Sequence, residues 1–540
     1  MHALEFHKFA ARLGRAPKLT LKSKKILMIK TFRFLWIGLV LVYCLPVQAQ
    51  EVIAQEIMAP ELMLQKSEVE AQLRFLASDA LKGRRTGEEG NNIAAAYLAA
   101  HYAAHGLKPA PGMDAYFQPV NLEGIKPAST GTLVIGDESF EQQKDLLLLR
   151  GDATDLEGKV VFAGHGWIDA EKGVDDYKKL KVKDKIVVVL PGTPESDDRR
   201  TVFRSSRLKR QYAAERGAAA LIELYQMRFP WDFFLRYFGK ESLSLASTDE
   251  DKAGSNLPYG WLRTLNPDTF LDNLKKSKKL KGSLNFPGTS VRVVASQNVV
   301  GILEGTDAQL KEEYVLVTAH YDHVGTGKNG GASYTEQDSI FNGARDNGMG
   351  TVALMSAVKT LAANPPKRSV IFCAVTGEEL GLLGSSFYAD NPLIPLEKTI
   401  FNINTDGAGY NDVSYLSVVG YGRTGTDDLI TNAAKDNGLK VFPNPAPDQN
   451  LFDRSDNVAF ARKGVPAICI SPGTTAFDEA IQQHYHQVSD QPETIDYDYF
   501  IKYCRSFAQF TRLISNWEQK PVWIEGDKYE EAAKELYEKP

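Results

Sequence analysis

Tyr314-Val315-Leu316-Val317-Thr318-Ala319-His320-Tyr321-Asp322-His323 reads as a short apolar strand running straight into a group of imidazoles and a carboxylate. Three similar strands follow, Ser369 to Val375, Thr399 to Asn404 and Ala467 to Ile470, with helical stretches such as Met349 to Ala363 between them. Strands alternating with helices predict an α/β fold: a mixed, mostly parallel sheet with helices on both faces. Ligands of such sheets gather beyond the carboxyl ends of the strands. The residues just after each apolar run are therefore the ones to read for function.

Those residues are acidic. Gly343-Ala344-Arg345-Asp346-Asn347-Gly348 precedes a helix, the strand ending at Val375 leads into Thr376-Gly377-Glu378-Glu379, and the strand ending at Asn404 leads into Thr405-Asp406-Gly407. His320 closes the first strand, and Asp322 is placed to accept the second ring N–H of that imidazole. His484 and His486 form a second histidine cluster further on. Carboxylates crowded at one rim repel one another unless a cation neutralises them. Mixed His and carboxylate donors suit Zn²⁺ better than Ca²⁺ or Mg²⁺, which favour all-oxygen shells. Five such ligands exceed the usual three protein ligands of one catalytic zinc, so two Zn²⁺ per chain sharing a carboxylate is the economical count.

Working outward, 540 residues with 43% hydrophobic and 24% charged side chains fit an ordinary globular protein of two or three domains. The net charge of -5 hides an asymmetry: residues 1–33 hold nine Lys or Arg against Glu5, and that +8 masks -13 on the remainder. Such a body has no global attraction for nucleic acid. Phe34 to Val47 is an uncharged apolar run, and Val47-Gln48-Ala49 is a small-residue cleavage site. Residues 1–49 thus read as a secretory signal, and Met28, followed by Lys30 and Arg33, offers a start with an n-region of ordinary length. The expectation is an exported protein, periplasmic or extracellular, with no stable membrane span after cleavage. Tyr43 before Cys44 argues against a lipid anchor. Cys373, Cys469 and Cys504 make no disulfide framework.

Glu68 to Leu81 and Asn92 to His105 have helical spacing, with Gly83-Arg84-Arg85-Thr86-Gly87 as a tight loop between them and Gly106 as a stop. From 121 to 290 the texture changes to short strands and turns, predicting a smaller β-rich insert between residues 50–120 and 291–520 of one domain, with 521–540 carrying a C-terminal helix. Tyr212 to Glu223 reads as a helix running into a strand. The basic patch Arg199, Arg200, Arg204, Arg207, Lys209, Arg210 reads as solvated surface.

Taken together, His320-x-Asp322, Gly343-Ala344-x-Asp346-Asn347, Glu378-Glu379-x-Gly381-Leu382-x-Gly384-Ser385, Asn404-x-Asp406 and Tyr485-His486-x-x-Ser489-Asp490 resemble the dinuclear zinc exopeptidases of the aminopeptidase Y and glutamate carboxypeptidase type. The resemblance runs from about Glu68 to Trp517, and Gly83-Arg84-x-Thr86-Gly87 looks like the family's opening. The segment 121–290 resembles an inserted protease-associated domain. The resemblance implies that Asp346 bridges two zincs, with His320 and Asp406 completing one site and Glu379 and His486 the other. Glu378 would be the general base acting on the bridging water, and Tyr485 would stabilise the oxyanion. Asp322, Asn347, Arg454, Ser455 and Asp456 would support the ligands or touch substrate. Gly348-Met349-Gly350 and Gly407-Ala408 depart from the family pattern, which bears on pocket shape more than on ligation.

The leading reading is an exported zinc aminopeptidase acting on peptide substrates. A carboxypeptidase on the same fold would need Arg345 or Arg454 to hold the substrate carboxylate. A glutaminyl cyclase would use one zinc, and a non-catalytic binding protein would have lost ligands.

Overall fold

A computed structural model describes residues 60–246, 254, 256–277 and 279–538. The predicted signal at 1–49, with Met28 and Cys44, lies outside the described residues.

The four strands predicted between Tyr314 and Ile470 all form and meet in one ten-stranded sheet. Its centre is four parallel strands in the spatial order Ser369–Val375, Tyr314–His320, Thr399–Thr405, Ala467–Pro472. These strands are buried along almost their whole length, as parallel strands covered on both faces must be. Towards the edges the pairing becomes antiparallel, with Ser290–Leu303 against Ser369–Val375, Phe117–Lys126 against Ser290–Leu303, and Tyr415–Val419 against Ala467–Pro472. The sheet is therefore mixed, with its four central strands parallel and one further parallel pair, Tyr415–Val419 with Lys440–Pro443, at the far edge. Ser290–Leu303 shows why the flank differs: its first half is largely exposed and only its second half is buried, a pattern that antiparallel strands tolerate.

Helices close both faces. Lys66–Leu76, Glu89–Ala104, Gly350–Ala363 and Tyr497–Asn516 pack around Val315, Val317, Phe372 and Phe401 on one side. Leu383–Asp390 and Asn457–Ala461 cover Leu316, Ile371 and Cys373 on the other. The first helix ends at Leu76, five residues before the predicted Leu81, because the chain tightens into the turn Asp79–Arg84, where Lys82 and Gly83 are left-handed. The second helix stops at Gly106, whose φ of 73° fits the expected glycine stop.

A second, eight-stranded sheet is built from strands between Thr132 and Phe286. Alternate side chains of Ile186–Val189 feed two separate cores, Ile186 and Val188 on one face and Val187 and Val189 on the other. The segment 121–290 is not self-contained, however. Phe117–Lys126 and Ser242–Leu245 pair with each other and extend the main sheet. The basic patch also differs from expectation. It forms the helix Arg199–Glu215, whose inward face places Lys209 in the insert's interior, fully buried and 2.8 Å from the equally buried Glu223. Cys373, Cys469 and Cys504 are free and buried. Among the described residues no helix is long and apolar enough to cross a membrane.

Candidate metal centre

Three strand ends, a turn entering a helix and one late turn converge on a small cavity. His320 is the last residue of its strand and is completely buried. Asp346 sits on a kinked turn that enters the helix Gly350–Ala363 after left-handed Gly343. A side chain at Gly343 would lie 2.4 Å from the Asp346 carbonyl and 2.6 Å from the His323 ring, so only glycine fits there. Gly377, with φ 72°, turns the chain sharply after Val375 and separates the directions of Glu378 and Glu379. Asp406 follows Thr405, and His486 arrives from the turn after the short helix Glu479–Gln482.

The carboxylate of Asp346 divides its two oxygens. Oδ1 lies 3.4 Å from Nε2 of His320, which is itself 3.1 Å from Oδ1 of Asp406. Oδ2 lies 3.0 Å from Nε2 of His486, which is 3.1 Å from Oε2 of Glu379. Two donor groups result, each with its ligand atoms within 4.8 Å of one another: His320, Asp346 and Asp406, then His323, Asp346, Glu379 and His486. The structure thus brings together all five residues expected to hold metal, and adds His323. Its Nδ1 stands 2.8 Å from Oε1 of Glu379, while its Nε2 is buried without a partner.

The charge balance fits cations at these points. Burial opposes protonation of His320 and His486, yet the facing carboxylates outweigh it, raising His320 well above its ordinary range and His486 to about 11. His486 Nε2 nevertheless makes no well-directed hydrogen bond to either nearby carboxylate, as expected of a nitrogen aimed at a point between them. Burial and Asp346 raise Glu379, but His486 and His323 pull it down to about 2. Imidazole and carboxylate donors without thiolate match zinc chemistry.

Glu378 stands apart from both donor groups and lines the cavity. Burial, reinforced by Asp406 and Glu379 and opposed by His320, holds its carboxyl well above the usual carboxylate range. The cavity, about 100 Å³, is also lined by Arg454, Ser455, Phe477 and Tyr485. Tyr485 stacks on His486 with ring centres 4.2 Å apart.

The supporting residues divide unexpectedly. Asp322 does not hold His320 through its carboxylate, which stays 3.7 Å from Nδ1. The main chain turns so that the Asp322 carbonyl, at 3.2 Å, takes the imidazole instead. The freed carboxylate accepts the Glu378 backbone N–H at 3.2 Å and the Thr86 hydroxyl at 2.9 Å. Asn347 Nδ2 donates to the carbonyls of His320 and Thr405, tying two strand ends together. Ser455 donates to Oδ2 of Asp406 at 2.5 Å, and Asp456, buried, accepts the Ser385 hydroxyl. Burial, helped by Asp406, raises Asp456 to about 7. Arg345 points away from the cavity to Asp490 and Thr494, and His484 caps a local turn through the Ser489 carbonyl. Arg454 remains exposed at the cavity wall.

A parallel-centred α/β sheet with histidines and carboxylates at its strand ends defines a candidate metal centre. Residues 298–511 match the model of peptidase family M28. It is similar to the vacuolar membrane protease of Saccharomyces cerevisiae, 32% identical over 159 residues, which is 29% of this chain and 14% of that protein. It is also 26% identical over 263 residues to aminopeptidase YwaD of Bacillus subtilis, covering 48% of this chain and 52% of the relative. The chain thus spans about half or less of these curated relatives. The solved structure of an aminopeptidase from Aneurinibacillus sp. strain AM-1 shares the fold, with TM-score 0.55, 18% identity, and coverage of 85% of this chain and 96% of that one.

Proposed function

We propose that this chain is an exported zinc aminopeptidase that hydrolyses the N-terminal bond of peptides. The observation that carries this reading is the division of Asp346 between two donor groups, with unligated Glu378 facing the same cavity. His320, Asp346 and Asp406 would hold one zinc and Asp346, Glu379 and His486 a second, and zinc bound there would supply Lewis acidity toward the scissile carbonyl and lower the pKa of water. Glu378 takes the proton of the attacking water and returns it to the leaving amine, a role suited to a carboxyl held above its ordinary pKa. Tyr485 lines the cavity, and its hydroxyl is assigned to the developing oxyanion. Aminopeptidase is favoured over carboxypeptidase because Arg345 is committed to Asp490 and Thr494, which leaves Arg454 alone at the cavity wall.

The test is zinc content of the purified protein together with hydrolysis of aminoacyl and N-blocked peptides, with Glu378→Gln as control. Cleavage restricted to N-blocked peptides assigns a carboxypeptidase instead, and less than about one zinc per chain removes the metal mechanism. Export is tested on the same protein, since cleavage after Ala49 leaves a mature chain beginning at Gln50. The second sheet, read as protease-associated in type, is assigned control of access. Its connection to the main sheet donates from Lys240 Nζ to the carbonyl of Lys328. Equal rates on short peptides and on folded proteins with accessible N-termini would remove that role.

A further inference from the structure

Arg84 is fully buried, and its guanidinium donates to four main-chain carbonyls. Nε reaches the carbonyl of Tyr321 at 2.9 Å, Nη1 those of Leu76 and Asn342, and Nη2 that of Gly343 at 2.9 Å. Tyr321 lies between His320 and Asp322, and Asn342-Gly343 is the turn that delivers Asp346. Neutral carbonyls satisfy the hydrogen bonds of a buried guanidinium but leave its charge without a contact partner, an expensive way to fill a core. Asp322 foremost, then Asp490, Asp346 and Glu379, answer that charge, and they do so at longer range.

The neighbouring chain is equally committed. Gly325 N–H donates to the Gly83 carbonyl at 3.1 Å and His323 N–H to the Arg84 carbonyl at 3.3 Å, so residues 83–85 lie along 323–325 as a short bridge. Arg84 adopts a left-handed φ of 46°, uncommon outside glycine and sustained here by these contacts. Two residues on, the Thr86 hydroxyl donates to Oδ2 of Asp322, whose Oδ1 accepts the main-chain N–H of Glu378. The segment therefore touches the turns that carry His320, Asp346 and Glu378, although it lies far upstream of the family match at 298–511.

We infer that Gly83–Gly87 is a working part of the metal centre, in which Arg84 sets the His320 and Asp346 turns for zinc and Thr86, through Asp322, sets the main chain of Glu378. This rests on the function proposed above. Both are positioning residues, since neither reaches the cavity.

The experiment compares the full chain with Arg84→Lys, Thr86→Val and Thr86→Ser, reading zinc affinity by competition with a chromophoric chelator, thermal midpoint, and kcat and KM on an aminoacyl substrate. Arg84→Lys keeps the charge but cannot span four carbonyls, and it is expected to bind zinc about ten- to a hundredfold more weakly. Thr86→Val is expected to keep zinc affinity and KM while kcat falls about tenfold or more, with Thr86→Ser restoring it. Wild-type zinc affinity and kcat in both variants, with only the midpoint lowered, would reduce the segment to a structural strap and overturn the inference. If Arg84→Lys does not fold, the Thr86 pair decides. If the wild type hydrolyses nothing, the proposed function fails, while zinc affinity of Arg84→Lys still decides the positioning role of Arg84.

Discussion

His323 Nδ1 stands 2.8 Å from Oε1 of Glu379, and both side chains are almost wholly buried. Glu379 turns its other oxygen to His486, so His323 fixes the rotation of a carboxylate that serves the second donor group. Although His323 lies within reach of the second donor group, this contact makes it a support for Glu379, and such supports usually change metal affinity about ten- to a hundredfold. His323→Ala is therefore expected to weaken one zinc by that factor and to leave the His320 and Asp406 position close to wild type. Zinc titration against a chelator reads both; equal weakening at the two positions, or none, contradicts the assignment.

Glu378 belongs to neither donor group, so on the proposed function replacing it separates proton transfer from metal binding. Glu378→Gln preserves shape and removes the base. General acid–base catalysis is worth about 10² to 10⁴ in rate, and kcat should fall by that order while zinc content stays at the wild-type value. A variant that loses zinc as well would make Glu378 a ligand.

Much of this was legible before any coordinates. His320, Asp346, Glu378, Glu379 and Asp406 could be read because apolar strands interleaved with helices force their carboxyl ends together. What failed was anything that depended on which way a turn aims a group. Asp322 lies two residues from His320 and was read as its carboxylate partner, yet the turn presents the carbonyl and sends the carboxylate to Glu378. His323 stands in the same cluster of the sequence, but its role stays open there because it depends on that same turn. Lys209 looked solvated because the patch is basic throughout, and only the insert's core decides which helical face turns inward. The segment 121–290 looked separate because pairing of Ser242–Leu245 with Phe117–Lys126 is a long-range choice between weak strands.

His101 predicts a pH dependence of stability remote from the metal centre. Its ring packs against the helix Gly350–Ala363, with Nε2 2.9 Å from the Met355 carbonyl. Burial is the main cause that lowers it from 6.5 to about 4. The unfolded chain therefore binds this proton more readily than the folded one. The site costs nothing above pH 6.5, and stability is lost as pH falls from there towards 4, by up to about 3 kcal/mol for this shift. Urea unfolding of His101→Gln should show a shallower decline than the wild type across that window; parallel declines would mean that other groups set the slope.

Lys209 and Glu223 give a prediction for the inserted domain. Both are fully buried at 2.8 Å, Lys209 also donates to the Leu190 carbonyl, and Glu223 accepts the Tyr259 hydroxyl at 2.8 Å. Lys209→Met leaves Glu223 charged and uncompensated, or forces it to take a proton, because burial already pushes its carboxyl above the ordinary range. Breaking such a pair costs about 3–5 kcal/mol, whereas replacing both partners by apolar groups is often close to neutral. In denaturant unfolding followed by tryptophan fluorescence, where Trp231 and Trp261 report on this core, Lys209→Met should unfold well before the wild type. Lys209→Met combined with Glu223→Leu should recover part of the loss. A double variant no better than the single one would show that Glu223 is held by Tyr259 and its surroundings rather than by the lysine.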